Sequence, residues 1–226
     1  MLNQYYSKTY HLPDRFVTIP PLLNLKDKKL KYTDLLIYAA LKSYNSQYAN
    51  EYWFRNRPYE DGCFPSLVTI AGQAGVAKGT VIAAIKRLEA AKFITVNRSD
   101  KLKVANHYWF PELSQIYTIP FRLFRIKDLT SNEKAMLICI RQFYIGEDLN
   151  CMFTEVVKEI AKHLGVSYNA VYNQYHSLVR KGYVVDKKEP YKKDYQRRVI
   201  QLSDKLNWIF KADPEPDYST MTLKFK

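Results

Sequence analysis

The chain has 226 residues, with 35 Lys plus Arg against 22 Asp plus Glu, a formal net charge of +13, and 47% hydrophobic residues. That apolar share supplies a core and excludes wholesale disorder, and only 7 Gly and 10 Pro exclude a fibrous or low-complexity chain. No apolar run approaches the roughly 18 residues of a membrane span. The opening MLNQYYSKTYHLPD has no apolar leader segment, and Cys63, Cys139 and Cys151 form no C-x-x-C pair. A cytoplasmic protein in a reducing compartment is therefore expected, without a structural zinc site and with a polyanionic partner.

In chain order, residues 1–13 read as an N-terminal arm and Phe16-Val17-Thr18-Ile19-Pro20 as a lead-in to a helical apolar stretch, Leu35 to Leu41. A polar, aromatic insertion at 45–62 follows. Pro65-Ser66 opens a helix to Ala74, Gly75-Val76-Ala77 turns, and Lys78–Ala91 is the next helix. Phe93–Asn97 and Lys103–Trp109 form a strand pair around Arg98-Ser99-Asp100-Lys101.

The order then repeats. Ile116-Tyr117-Thr118-Ile119-Pro120 echoes the lead-in at an offset of 100, and Ile160-Ala161-x-x-Leu164-Gly165-Val166-Ser167 echoes Ile70-Ala71-x-x-Ala74-Gly75-Val76-Ala77 at an offset of 90. Ten extra residues thus sit in the first copy. In the second, Thr130-Ser131-Asn132-Glu133 has capping-box spacing ahead of Met136–Phe143. Thr154–Leu164 is the next helix and Tyr168–Lys181 the one after the turn, closed by Gly182, which suits a left-handed C′ position. Tyr183–Asp186 and Arg197–Leu202 read as strands around a long basic loop. Leu206, Trp208, Ile209 and Phe210 close the core, and 212–226 read as a flexible tail.

A helix, a tight glycine turn and a second amphipathic helix form a helix-turn-helix, and the following strand pair makes it winged. Ala71 and Ala161 are small where two helices cross, and Val76 and Val166 suit plugging the turn into the core. The expected fold is mainly α with small β-hairpin wings (α+β), as two tandem winged helix-turn-helix domains at 14–111 and 112–211.

On these turns, Ala-Gly-Val-Ala-Lys-Gly-Thr-Val and Leu-Gly-Val-Ser-Tyr-Asn-Ala-Val, and on the Thr-Ile-Pro lead-ins, the chain from Phe16 to Leu202 resembles tandem winged-helix DNA-binding proteins. Among them it resembles the replication initiators of plasmids and phages; transcription regulators use the same module. The resemblance implies that the third helix of each copy enters a major groove while the wing touches the adjacent backbone.

With Val81, Ile85 and Leu88 inward, helical spacing puts Gly79, Ala83 and Lys86 outward, with Lys78, Thr80, Ile82 and Arg87 beside them. In copy two the matching face holds Asn169, Asn173 and His176, with Tyr168, Tyr172 and Ser177. Asparagine can pair with the N6/N7 edge of adenine, so copy two is expected to supply more base readout and copy one more phosphate and shape contact. The wings add Lys187, Lys188, Lys192, Lys193, Arg197 and Arg198 in copy two, and Arg98, Lys101 and Lys103 in copy one.

Catalytic readings fail on residue order. Gly72-x-x-Gly75-x-x-Lys78-Gly79-Thr80 lacks the Gly-Lys-Ser/Thr order of a phosphate loop, and the four histidines form no metal-ligand pair. The expectation is a non-enzymatic protein without cofactor or metal that binds double-stranded DNA, as a cytoplasmic, nucleoid-associated protein. Its site is expected to be asymmetric or a direct repeat. A homodimer, or a recruited replication or transcription protein, is the further expected partner. The alternatives are a transcription regulator with the same binding mode and a protein-interaction scaffold.

Overall fold

A computed structural model of the chain describes residues 16–20, 27, 29–48, 62–98, 105–111, 117–145, 150–151, 156–192, 195–206 and 208. The arm at 1–13 and the tail at 212–226 lie outside the described residues. The architecture is mixed helix and strand with small sheets, an α+β arrangement.

The first half runs β1 (Phe16–Ile19), α1 (Tyr32–Tyr48), β2 (Gly62–Cys63), α2 (Leu67–Ala74), α3 (Lys78–Ala90), β3 (Thr95–Asn97) and β4 (His107–Trp109). The second runs β5 (Tyr117–Pro120), α4 (Arg122–Arg125), α5 (Ser131–Arg141), β6 (Tyr144–Ile145), β7 (Asn150–Cys151), α6 (Val156–Leu164), α7 (Tyr168–Arg180), β8 (Val184–Lys192) and β9 (Tyr195–Leu202). Two sheets have the orders β2-β4-β3 and β6-β7-β9-β8. Apart from β6 they match: the strand before the helix pair lies beside the second strand of the hairpin that follows it.

The halves meet at their equivalent parts. β1 and β5 pair antiparallel with Thr18 opposite Thr118, Val17 opposite Ile119 and Ile19 opposite Tyr117. These residues correspond at the offset of 100, so each cross-strand pair is the image of another, about a pseudo-two-fold axis between the two threonines. Helices α1 and α5 also pack on one another. This explains their composition. Asp34–Leu41 and Glu133–Ile140 are buried on every face, because one side of each helix covers its own half and the other covers its counterpart. A helix buried all round has no solvent-facing side to keep polar, so past the charged residues at their starts Leu35–Leu41 and Ala135–Ile140 run apolar without a stripe.

Local chemistry sets the helix ends. Ser66 Oγ accepts the Thr69 amide at 3.1 Å at the start of α2. Thr130 and Glu133 form a reciprocal capping box on α5, with Glu133 N donating to Thr130 Oγ1 at 3.2 Å and Thr130 N to Glu133 Oε2 at 2.7 Å. Gly182 takes φ +71° just past α7, and the Tyr183 amide reaches back to the Leu178 carbonyl at 2.9 Å. Lys92 holds the matching place in copy one at φ +62°, with Phe93 N on Leu88 O at 2.9 Å.

Three expectations change in extent. Helix α1 continues to Tyr48 and β2 starts at Gly62, so the insertion expected at 45–62 begins as helix and ends as strand; 49–61 lie outside the described residues. The segment expected as a long basic loop is mostly sheet: β8 and β9 pair from Val184↔Leu202 to Lys192↔Tyr195, with a register shift near Pro190. The expected start of the second helix of copy two at Thr154 lies outside the described residues, and α6 begins at Val156. Leu206 and Trp208 are buried under copy two as expected, while Ile209 and Phe210 lie outside the described residues.

Candidate nucleic-acid interface

Helices α2 and α3 meet at 100°, within the range of roughly 90–120° of helix-turn-helix units. Gly75 makes the corner at φ +67°, and the Val76 amide closes on the Ala71 carbonyl at 3.0 Å. A side chain at position 75 would be strained by that φ and would press on Ser131 Oγ, 3.2 Å from where a Cβ would stand. Copy two repeats the corner: Gly165 has φ +64°, and Val166 N reaches Ala161 O at 3.1 Å. Ala71 and Ala161 are buried at the crossings. Val76 packs partly on the core, whereas Val166 is exposed, so only one of the two turns is plugged as the sequence suggested. Ser167 caps α7 by accepting the Ala170 amide at 3.3 Å; Ala77, its counterpart on α3, has no side-chain cap.

Each helix after the corner has an inner and an outer face. Val81, Ala84, Ile85 and Leu88 of α3 are buried, as are Val171, Tyr175 and Leu178 of α7. Outward on α3 lie Lys78, Gly79, Thr80, Ile82 and Lys86, with Ala83 half-buried; nothing stands within 4 Å of a Cβ built on Gly79. Outward on α7 lie Tyr168, Asn169, Tyr172 and Asn173, with His176 half-buried. The rings of Tyr168, Tyr172 and His176 form a ladder along one edge of this face, with centroids 5.6 and 4.1 Å apart. The sequence nominated these residues singly; their spacing at i, i+4 and i+8 was the signal for the ladder.

Two nominated residues of α3 and α7 are engaged elsewhere, as are two of the hairpins. The Arg87 guanidinium reaches Asp34 on α1, with Nε on Oδ2 at 2.8 Å and Nη2 on Oδ1 at 2.7 Å, and the same carboxylate accepts the Lys31 amide at 2.9 Å. In copy two, Ser177 Oγ donates to Glu133 Oε1 at 2.6 Å, and Lys181 Nζ lies 2.8 Å from Oε2 and Oε1. Arg87 and Ser177 correspond at the offset of 90, and Asp34 and Glu133 at 99. Each copy thus has one clasp, in which a buried acid at the start of its central helix holds the far end of its outward helix. Burial would raise the Glu133 carboxyl, but Lys181, Ser177 and the Thr130 amide and hydroxyl outweigh it and hold it at about 2. Arg87 and Ser177 turn inward because a buried carboxylate must be paired.

The hairpins divide their charges between holding and display. Arg98 Nη1 donates to Glu89 Oε1 at 2.9 Å, with a second contact from Nη2 to Oε2, which ties the first hairpin to α3. Arg198 Nε reaches Asp186 Oδ1 at 2.8 Å, and Tyr175 Oη of α7 donates to Asp186 Oδ2 at 3.0 Å. Arg198 holds the Asp186 carboxyl below its ordinary value. Lys187 and Lys188 are exposed, Lys187 beside Glu189 at 2.7 Å. Lys192 and Arg197 belong to β8 and β9, and Lys101, Lys103 and Lys193 lie outside the described residues.

Among the described residues, no three His, Cys, Asp or Glu side chains gather where they could share a metal ion. Comparison with known proteins finds no matching family model, curated protein or solved structure.

Proposed function

We propose that the chain is a non-catalytic, sequence-specific double-stranded DNA-binding protein built of two winged-helix units, with α3 and α7 as the reading helices. The observation that carries this reading is the repeated geometry. Twice, a glycine corner sets an outward helix against a hairpin, and the strand before the pair lies beside the second hairpin strand. A surface helix that displays Tyr, Asn, Tyr and Asn on one stripe suits base edges in a major groove, where asparagine pairs with adenine. Lys78 and Lys86 on α3 and Lys187 and Lys188 on the second hairpin are exposed and carry charge suited to phosphates.

Within this class, the resemblance of the turns and lead-ins favours a replication initiator of a plasmid or phage, which lacks an ATPase motif of its own and recruits a helicase. Selection of bound sequences from a randomised duplex library tests the binding reading: enrichment of one motif supports it, and no retained DNA at low salt overturns it. Mapping the motif on the DNA beside the gene tests the role. Repeats of about 20 base pairs, two helical turns, favour initiation, and one site over the promoter favours regulation.

Phe64 and Val68 are 70% and 66% exposed on the first half. That exposed apolar pair favours a second reading, a protein-interaction scaffold, which gains the lead if no duplex is bound.

A further inference from the structure

We infer that the DNA element is an inverted repeat with chemically unlike arms, one arm for each half of the chain; this rests on the DNA-binding reading above. Two halves joined head to tail by translation would present their outward helices in the same direction, and would read a direct repeat. The register across β1 and β5 is incompatible with that arrangement. Thr18 faces its own counterpart Thr118, and the pairs Val17↔Ile119 and Ile19↔Tyr117 exchange under the repeat, which only a two-fold relation produces. Helices α1 and α5 also pack on one another across the halves, and the hydrogen bond from Ser131 Oγ of α5 to the Gly75 carbonyl ties one half to the reading corner of the other. A duplex has its own two-fold axes, which exchange its strands. A protein two-fold set on one of them reads the same motif on opposite strands, as dimeric helix-turn-helix proteins do on palindromes. Here both halves belong to one chain, so a single molecule supplies both arms. This replaces the direct or wholly asymmetric element expected from the unlike helices alone.

The axis relates backbones, not side chains, and the arms differ for that reason. At the offset of 90, Tyr168, Asn169, Tyr172, Asn173 and His176 of α7 stand where α3 has Lys78, Gly79, Ile82, Ala83 and Lys86. The α7 arm is read by two amides, which favour adenine. The α3 arm is read by the methyl groups of Ile82 and Ala83, suited to the thymine methyl, and by lysines suited to guanine O6 and N7. Ile82 is 37% exposed on that face.

The test uses the full chain and two kinds of probe. A variant carrying Lys78→Tyr, Gly79→Asn, Ile82→Tyr, Ala83→Asn and Lys86→His gives α3 the residues of α7 at these five positions, and should bind a palindrome of the α7 arm about tenfold or more tighter than a direct repeat of that arm at equal spacing, the cost of roughly one bidentate base contact. Equal binding, or preference for the direct repeat, overturns the inference while leaving DNA binding intact. A second measurement keeps the native faces: a DNA-cleaving iron chelate tethered through Ala77→Cys at the start of α3, or through Ser167→Cys at the start of α7, should cut a duplex carrying the selected motif in two patterns related by a two-fold axis of the duplex, with the strands exchanged. Patterns related by translation along the same strand overturn the inference whether or not the five-fold variant folds. Absence of binding to every probe overturns the DNA-binding reading itself.

Discussion

The two halves share a framework and differ in the surfaces they mount on it. Corner, sheet order and clasp recur, down to a buried acid on the central helix that grips the outward helix. The grip itself is not conserved in chemistry: Arg87 holds Asp34 with two parallel bonds, while Ser177 and Lys181 share Glu133. The outward faces diverge more, cationic and small on α3, amide and aromatic on α7. Framework positions answer to burial and backbone geometry, which are the same in both halves. Face positions answer to whatever they touch.

The largest effects should come from the clasps. Glu133→Ala leaves Lys181 and Ser177 without their partner and is expected to cost about 3 kcal/mol in chemical denaturation, near the low end for a broken buried pair because Lys181 can rehydrate. Asp34→Ala should cost a similar amount in the other half, and a cost confined to one half would break the equivalence. The pH dependence follows from the lowered Glu133 carboxyl. Its contribution is present in full above about 4.5, the ordinary value, and is lost as pH falls towards about 2. Glu133→Gln should therefore flatten the acid limb of a stability–pH curve.

The outward faces come next. Asn173→Ala should lower discrimination at one or two base pairs by about 1–3 kcal/mol, read as altered preference in a selection experiment. Gly79→Ala should do the opposite kind of thing. The site is open, so the substitution should stabilise the fold by about 0.5–1 kcal/mol while weakening DNA binding, if the α3 backbone approaches the groove closely.

A smaller contrast lies at the helix ends. Lys92 and Gly182 both take the left-handed conformation, which favours glycine. Lys92→Gly should raise stability by about 0.5–1 kcal/mol, and Gly182→Ala should lower it by a similar amount. Equal effects of one sign would mean that the two helix ends are not alike.

What the sequence made legible was local. The corners, the capping box and the inward stripes rest on residues within one or two turns of each other, so glycine placement and spacing sufficed. The clasps join residues 53 and 44 apart, and nothing in the spacing of Arg87 or Ser177 distinguishes an inward partner from solvent or phosphate. Asp34 is the signal for the first clasp, an acid leading directly into the apolar run Leu35–Leu41 and therefore in need of a counter-ion. The echo of Thr18 in Thr118 was visible as repetition, but repetition alone does not separate translation from rotation. Only the antiparallel register does. The basic run of copy two was misread as loop because charge masked its alternation, although Asp186, Lys188 and Arg198 share one face of a hairpin, where an ion pair can form diagonally.

Salt dependence tests the central claim most directly, that these paired surfaces bind duplex DNA. Titration of the intact chain into duplex carrying the selected motif, repeated across salt concentrations, should give log affinity falling with log salt by about 0.9 for each phosphate neutralised. A slope of several is expected, reduced by about one in each of Lys187→Ala and Lys188→Ala. No binding at low salt, or affinity indifferent to salt, would contradict the account.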